Sequence, residues 1–365
     1  MENDQPVANN LGERSAARAL ASRLNAAARG RIGLRRVSVE ELSIRRRRNG
    51  KGFAYFTANG RRIRDLRNIA RLKRLAVPPA YDDVRFADDP RAHIQAIGRD
   101  SAGRIQYRYH PDWDKLREQR KATHLTELLR LLPKIRRALS RHLREREETR
   151  AFTLAAIIEL IALTALRPGS EAYAREHGTR GAATLLKTNV TVTGDRIALR
   201  FRGKGGKLIE REVRSKRLAR AIGRLMKLPG KRLFQYRTAD GAILVARRRD
   251  ANAFLKEIAS EHVRLKDFRT LIACARALEN LVKLEPKPSD AGRRRQLKEC
   301  LCAVSEELAN TPAICRKSYV HGLVVQAFED GSLKDIAART GRKSTAVQGE
   351  ALLRAVLTTA GGARG

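Results

Sequence analysis

The chain has 365 residues, with 77 Lys and Arg against 39 Asp and Glu, a net charge of +38. An enzyme of small acidic metabolites needs no such field; it points to a polyanion, with nucleic acid ahead of a membrane surface. At 42% hydrophobic the chain can bury a core, and its length fits two domains.

Residues 1–36 read as a basic, Ala/Arg-rich tail without the apolar segment of a secretory signal. The run Phe53–Thr57, then Ala58-Asn59-Gly60 and Arg61-Arg62-Ile63-Arg64, predicts a β-hairpin. A short helix over Asp65–Leu75 should lead into Val77-Pro78-Pro79. Strands are expected near Val84–Phe86 and Ile94–Gly98, and a turn over Asp100–Gly103 returns into Ile105–Tyr109. Asp82-Asp83 and Asp88-Asp89 read as turn residues rather than metal ligands. Residues 37–117 should thus form a small strand-rich domain.

From about 118 the period becomes helical. Helices are predicted over Thr123–Glu147 and Arg150–Leu166. The second is apolar nearly all round, as a buried helix is. It carries Glu159, and no stretch reaches the roughly 18 uninterrupted apolar residues of a membrane span. A β segment follows: Leu185–Lys187, Val190–Val192, Arg196–Arg202, and Leu208–Val213 after a Gly-rich turn. Further helices are expected over Lys216–Lys227, Asp250–His262, Asp267–Lys283, Arg293–Leu308, Pro312–Phe328 and Leu333–Leu357, with a linker at Glu285-Pro286-Lys287-Pro288. The division is then 1–36 tail, 37–117 small domain, 118–340 mainly helical domain and 341–365 C-terminal tail. Four cysteines and seven scattered histidines show neither a disulfide framework nor a zinc spacing. No metal and no cofactor is expected, and reduced thiols fit a cytoplasmic protein.

Five stretches carry chemistry. In Arg104-Ile105-Gln106-Tyr107-Arg108-Tyr109-His110, a strand places both tyrosines on one face, suited to bases and phosphates, though by itself it is an ordinary Tyr-bearing strand. In Ala165-Leu166-Arg167-Pro168-Gly169, proline stops the buried helix, and Arg167 needs either an anion or solvent. Phe201-Arg202-Gly203-Lys204-Gly205-Gly206-Lys207 is a hairpin tip with two lysines; it lacks the phosphate-loop spacing and by itself is a solvated turn. Leu265-Lys266-Asp267-Phe268-Arg269-Thr270, if helical, sets Lys266 and Arg269 on one face, which by itself is a solvated basic face. Asn310-Thr311-Pro312-Ala313-Ile314-Cys315-Arg316-Lys317-Ser318-Tyr319 starts a helix at Thr311 and places Tyr319 two turns in, ordinarily a core position.

Taken in order, Arg167, Lys204, Lys266-x-x-Arg269, Asn310 and Tyr319 resemble the active site of type IB DNA topoisomerases, closest to the compact bacterial and poxvirus-like branch. The resemblance runs from near 37 to near 335. It also covers Pro78-Pro79-Ala80-Tyr81, the 98–110 strand pair, Trp113 and Glu171-Ala172-Tyr173. It implies an α+β protein: a small strand-rich N-terminal domain and a larger, mainly α-helical catalytic domain with a three-stranded β segment, closing as a C-shaped clamp on double-stranded DNA. It implies a monomer that relaxes supercoils without ATP or metal, through a 3′-phosphotyrosyl intermediate. In that reading Tyr319 is the nucleophile, Arg167 and Arg269 clamp the phosphate, and Lys204 (with Lys207 as local competitor) is the general acid. Asn310 stands where the family often has histidine, and an amide donates a hydrogen bond but carries no charge. DNA contacts fall on Arg104, Gln106, Tyr107, Tyr109, Arg117, Tyr173 and Lys266. Two rivals remain. A tyrosine recombinase shares the order Arg…Lys…Arg…Tyr, but usually has histidine at position 266 and a helical N-terminal domain. A non-enzymatic basic DNA-binding protein would form no covalent adduct.

Overall fold

The computed structural model describes residues 33–260, 262–341 and 345–362. The tail expected over 1–36 therefore lies, as far as residue 32, outside the described residues. Arg35 is already anchored: its N–H donates to Arg91 O at 2.8 Å and its guanidinium pairs with Asp89 and Glu41. The chain divides into two units, Met1–Arg120 and Lys121–Gly365.

The first unit is built on an antiparallel sheet of β1 (Ile44–Asn49), β2 (Gly52–Phe56), β3 (Asp82–Phe86), β4 (Ile94–Arg99) and β5 (Ile105–Tyr109). The strand order is β2-β1-β3-β4-β5, which leaves β5 at an edge. The tight hairpin turns at Gly50-Lys51, not at Asn59-Gly60 as the turn chemistry predicts. Gly50 has φ +56, so it supplies the left-handed residue itself. Asn59-Gly60 also reverses the chain, into a short antiparallel pairing: Phe56 bridges Arg62, Thr57 N–H donates to Arg61 O at 2.9 Å and Ile63 N–H to Tyr55 O at 2.8 Å. Asp82 and Asp83 open β3 beside a register shift rather than sitting in a loop. Helix α1 (Leu66–Arg74) is capped by Asp65, whose carboxylate accepts from Arg67 and Asn68 N–H. It inserts Leu72 among Ile44, Tyr55, Val84 and Phe86.

Helix α2 (Pro111–His142) starts twelve residues before the periodicity suggests. In the second unit the hub is α3 (Arg150–Thr164), where Phe152, Leu154, Ile157, Ile158, Leu160 and Ile161 are all fully buried. Each such side chain contributes about 1.5–3 kcal/mol by leaving water. Glu159, the one acid on this helix, is buried against Arg217. Around the hub lie α4 (Glu171–His177), a three-stranded sheet of β6 (Val190–Thr193), β7 (Arg196–Arg202) and β8 (Leu208–Arg214), and α5 (Lys216–Leu225). Leu185–Lys187 is no strand; it is flanked by single 3-10 turns at Ala182–Thr184 and Lys187–Asn189. Two three-residue strands, β9 (Gln235–Arg237) and β10 (Ile243–Val245), pair where no element was expected.

Helices α6 (Arg248–Ile258), α7 (Leu265–Leu281), α8 (Asp290–Glu307), α9 (Pro312–Ser318), α10 (Gly322–Glu329), α11 (Ser332–Thr340) and α12 (Thr345–Gly362) complete the unit. The single helix expected over Pro312–Phe328 is two, broken at Tyr319. The segment expected as a tail from 341 includes α12, whose Leu352, Leu353 and Val356 are buried in the main core. Among the described residues no helix is long and apolar enough to cross a membrane.

Candidate active site

The second unit brings Arg167, Lys204, Lys266, Arg269, Asn310 and Tyr319 to one region. Arg167 leaves α3 in a sharp turn. Ala165 ends the helix at φ +53, and Gly169 follows at φ +92. The strand of chain that carries Gly181 locks this turn: Ala182 N–H donates to Arg167 O at 2.8 Å and Ala183 N–H to Pro168 O at 2.9 Å. The two backbones are so close that a Cβ on Gly181 would stand 2.6 Å from Arg167 O and from Gly169 N. Gly181→Ala should therefore push the Arg167 turn aside. We expect a loss of roughly 1–3 kcal/mol in thermal unfolding, as for other overpacked sites. Any reaction that needs Arg167 in place should slow by up to about 10²-fold, as for a group moved by about 1 Å. An unchanged unfolding temperature would contradict the lock.

Arg269 lies on the first turns of α7, and only 2% of it is exposed. One guanidinium nitrogen donates to Ala165 O and the other to Leu308 O at 3.0 Å. Its Nε is buried without a hydrogen-bond partner. Arg167 donates to Ala309 O at 3.4 Å and to Asn310 Oδ1. Ala309, like Ala165, adopts the left-handed conformation, with φ +48. Such a conformation costs a non-glycine residue about 1–2 kcal/mol. Because arginine only donates, the oxygen of Asn310 must face Arg167, which leaves its Nδ2 buried and unpaired.

Thr311 caps α9, with its hydroxyl accepting from Ile314 N–H at 3.3 Å and Pro312 in the first turn. The helix stops at Tyr319, where the backbone leaves helical geometry (φ −127, ψ −40). Both Tyr319 N–H and Val320 N–H turn back to Cys315 O at 3.0 Å. Cys274 holds the break from α7: its thiol donates to Tyr319 O at 3.2 Å and its sulfur accepts from His321 N–H at 3.3 Å. His321 then caps α10 through Leu323 N–H. Lys121 of α2 donates to Lys317 O and Val320 O on either side, each at 3.4 Å.

The Tyr319 ring sits beneath two cations, with the Arg269 guanidinium 5.0 Å and the Lys266 ammonium 5.9 Å from its centre. Burial opposes ionisation of the phenol. The charge and hydrogen bond of Arg269, with Arg167 and Lys266 behind it, outweigh burial and hold the phenol below the usual tyrosine value. Burial in turn lowers the Arg269 guanidinium below its ordinary value. Lys204 is exposed in a single 3-10 turn at the β7–β8 tip, flanked by Gly205 and Gly206 at φ +74 and +73. It lines a small pocket together with Arg167 and Arg269. Lys207, its competitor, is exposed on the same tip, and its carbonyl accepts from Gly203 N–H.

Tyr173 is exposed on α4, 5.5 Å from the ring of His177. The remaining expected DNA contacts belong to the first unit. Tyr107 and Tyr109 are stacked on the edge strand with ring centres 5.9 Å apart, and Trp113 continues the row at 6.0 Å. Arg104 and Gln106 both reach Asp100, at 2.9 and 2.8 Å. Arg104, aided by backbone N–H groups and Gln106, holds the Asp100 carboxyl down to about 2. Arg117 pairs loosely with Asp114 at 3.4 Å. The sequence gives no sign of Arg180 at the pocket or of the left-handed Ala165 and Ala309; nothing marks Arg180 among the chain's 77 basic residues.

Residues 110–343 match the family described as "Eukaryotic DNA topoisomerase I, catalytic core", and residues 52–100 match "Bacterial DNA topoisomerase IB, N-terminal domain". The chain belongs to the type IB DNA topoisomerases, enzymes that act on DNA. It is 29% identical over 294 residues to "DNA topoisomerase 1B" of Acanthamoeba polyphaga mimivirus, covering 79% of this chain and 88% of that protein. It is 21% identical over 278 residues to "DNA topoisomerase 1B" of Vaccinia virus (strain Copenhagen), covering 74% and 84%.

Asn310 stands where the resemblance has histidine, with its Nδ2 buried and unpaired. If that N–H serves as a donor to a developing charge, its removal costs on the order of 10²–10³ in rate. Asn310→Ala is expected to slow single-turnover cleavage by that factor or somewhat less, since two arginines remain. Asn310→His should keep substantial activity, because an imidazole N–H reaches a similar position. A parental rate in Asn310→Ala would reduce the position to a residue before a helix cap.

Proposed function

We propose that this topoisomerase relaxes DNA by nicking one strand through Tyr319, letting the duplex rotate and resealing the nick, without ATP or metal. The carrying observation is the packing of one tyrosine against Arg269 and Lys266, beside the unpaired donors Arg269 Nε and Asn310 Nδ2. The phenol releases its proton to solvent water, a loss that the surrounding cations favour. Its oxygen bonds to the scissile phosphorus while the bond to the 5′-oxygen breaks. Lys204 gives a proton to that leaving oxygen. The tyrosine then carries the 3′-phosphate, and the reverse attack by the 5′-hydroxyl restores the strand. Phosphodiester energy is kept in the intermediate, so resealing consumes none. Arg167 and Arg269 stabilise the negative charge that grows on the non-bridging oxygens.

In this reading the strand-rich and helical units close as a C-shaped clamp on the duplex, and the enzyme works as a monomer in the cytoplasm, on the nucleoid. Arg104, Gln106, Tyr107, Tyr109, Arg117, Tyr173 and Lys266 contact DNA, mostly at phosphates, as suits action at many sequences. The test is plasmid relaxation in EDTA without ATP, with denaturant added to trap the covalent complex. Relaxation of a plasmid without recombination sites speaks against a recombinase. Failure to trap any adduct would leave a DNA-binding protein only.

A further inference from the structure

The pocket shared by Arg167, Lys204 and Arg269 holds another arginine that the mechanism above leaves idle. Arg180 lines it, half-buried, on the backbone between α4 and the Gly181 lock. That backbone is fixed on both sides. Arg180 N–H donates to Arg202 O at 2.7 Å, next to the Lys204 tip, and two residues on Ala182 N–H holds Arg167 O. The side chain thus springs from a rigid bridge between the turn of Arg167 and the hairpin of Lys204.

The charges around it are spoken for, whereas its own is not. Arg211 also lines the pocket, but its guanidinium is spent on the carbonyls of Glu210, Glu306 and Glu307. Glu307, the pocket's carboxylate, pairs with Arg276 at 3.2 Å. Glu171 senses the charge of Arg180, yet both its oxygens are gripped by Arg232, at 3.0 and 2.8 Å. Among the described residues the Arg180 guanidinium makes no hydrogen bond and no ion pair. A half-buried, unneutralised guanidinium facing other cations is unfavourable unless an anion joins them.

We propose that Arg180 is a further ligand of the scissile phosphate, which rests on the reading of this pocket as the seat of that phosphate. Its planar fork binds a non-bridging oxygen beside Arg167. It supplies the positive charge that the neutral amide of Asn310 does not, so the charge facing the transition state is kept although its source has moved.

The experiment is single-turnover cleavage at saturating DNA by the parent, Arg180→Ala, Arg180→Lys, Arg180→Ala/Asn310→His and Tyr319→Phe, with duplex affinity and thermal unfolding measured in parallel. Arg180→Ala should cleave about 10- to 10²-fold more slowly with affinity changed only a few-fold, since its contact strengthens in the transition state. Arg180→Lys should retain an intermediate rate and serves if the alanine variant unfolds. The double variant should recover part of the loss at a pH where imidazole is protonated. On DNA with a methylphosphonate at the scissile position, which lacks one negative charge, the gap between parent and Arg180→Ala should shrink. A parental saturated rate in Arg180→Ala overturns the proposal, whether or not binding weakens. So does a gap of equal size on the methylphosphonate. If the parent forms no Tyr319-dependent adduct, the underlying reading fails instead, and the two failures are told apart by the parent lane alone.

Discussion

Tyr319→Phe should bind DNA with parental affinity and relax no plasmid. The substitution removes one oxygen and keeps the ring. The ring is what packs here: it is 8% exposed and lies under Arg269 and Lys266. The break that presents it is held by bonds to main-chain groups, from Cys274 to Tyr319 O and His321 N–H and from His321 to Leu323 N–H. Folding and the cationic surface should therefore survive. Without the oxygen no bond to phosphorus forms, and deletion of a nucleophile in other covalent enzymes costs about 10⁶ in rate. Gel-shift affinity, plasmid relaxation and adduct trapping together check this. Any covalent adduct in the variant assigns the nucleophile elsewhere.

Lys204→Ala should slow cleavage of ordinary DNA by about 10²–10⁴, the usual worth of a positioned general acid. The lysine stands on a tip built to bring it near the pocket. Gly205 and Gly206 both have positive φ, and a Cβ on Gly203 would stand 2.8 Å from Ile209 Cγ1. Only glycine makes this turn without strain. The diagnostic substrate has sulfur in place of the bridging 5′-oxygen. A thiolate leaves without a proton, so Lys204→Ala should be largely restored on it. Rescue of Lys207→Ala instead would move the acid three residues along the tip.

The buried hub α3 was legible because an apolar run ended by Arg-Pro-Gly is a local signal. So were most strands of the first unit. The break at Tyr319 was not. Thr311-Pro312 announces a start, and the apolar run from Val320 to Phe328 continues in helical period, so the stretch reads as one helix. What stops it is Cys274 on another helix, bonded to Tyr319 O and His321 N–H. The longer hairpin was missed for a related reason. Asn-Gly is the stronger turn signal, yet the full ladder, Arg45–Asn49 with Gly52–Phe56, turns at Gly50-Lys51 and only a short pairing follows Asn59-Gly60. The β9–β10 pair is too short to show alternation. Among the site residues, family order brought Arg167, Lys204, Lys266, Arg269, Asn310 and Tyr319 to notice, since each alone reads as an ordinary surface or core residue. Arg180 follows from no pattern; only the close approach at Gly181 shows where it stands.

The left-handed backbones of Ala165 and Ala309 carry a consequence for the electrostatics of the site. Enzymes commonly steady an arginine with a carboxylate, which cancels the charge it orients. Here Arg269 is steadied by the carbonyls of Ala165 and Leu308, and Arg167 by Ala309 O and an amide oxygen. Such tethers are dipoles: they fix direction without neutralising. The positive potential of both guanidiniums stays unspent until an anion arrives, in a chain with a net charge of +38. The backbone strain at φ +53 and +48 is then the cost of uncharged scaffolding. Exchanging the one side-chain tether, as in Asn310→Asp, would set a carboxylate against Arg167 and quench its charge from within.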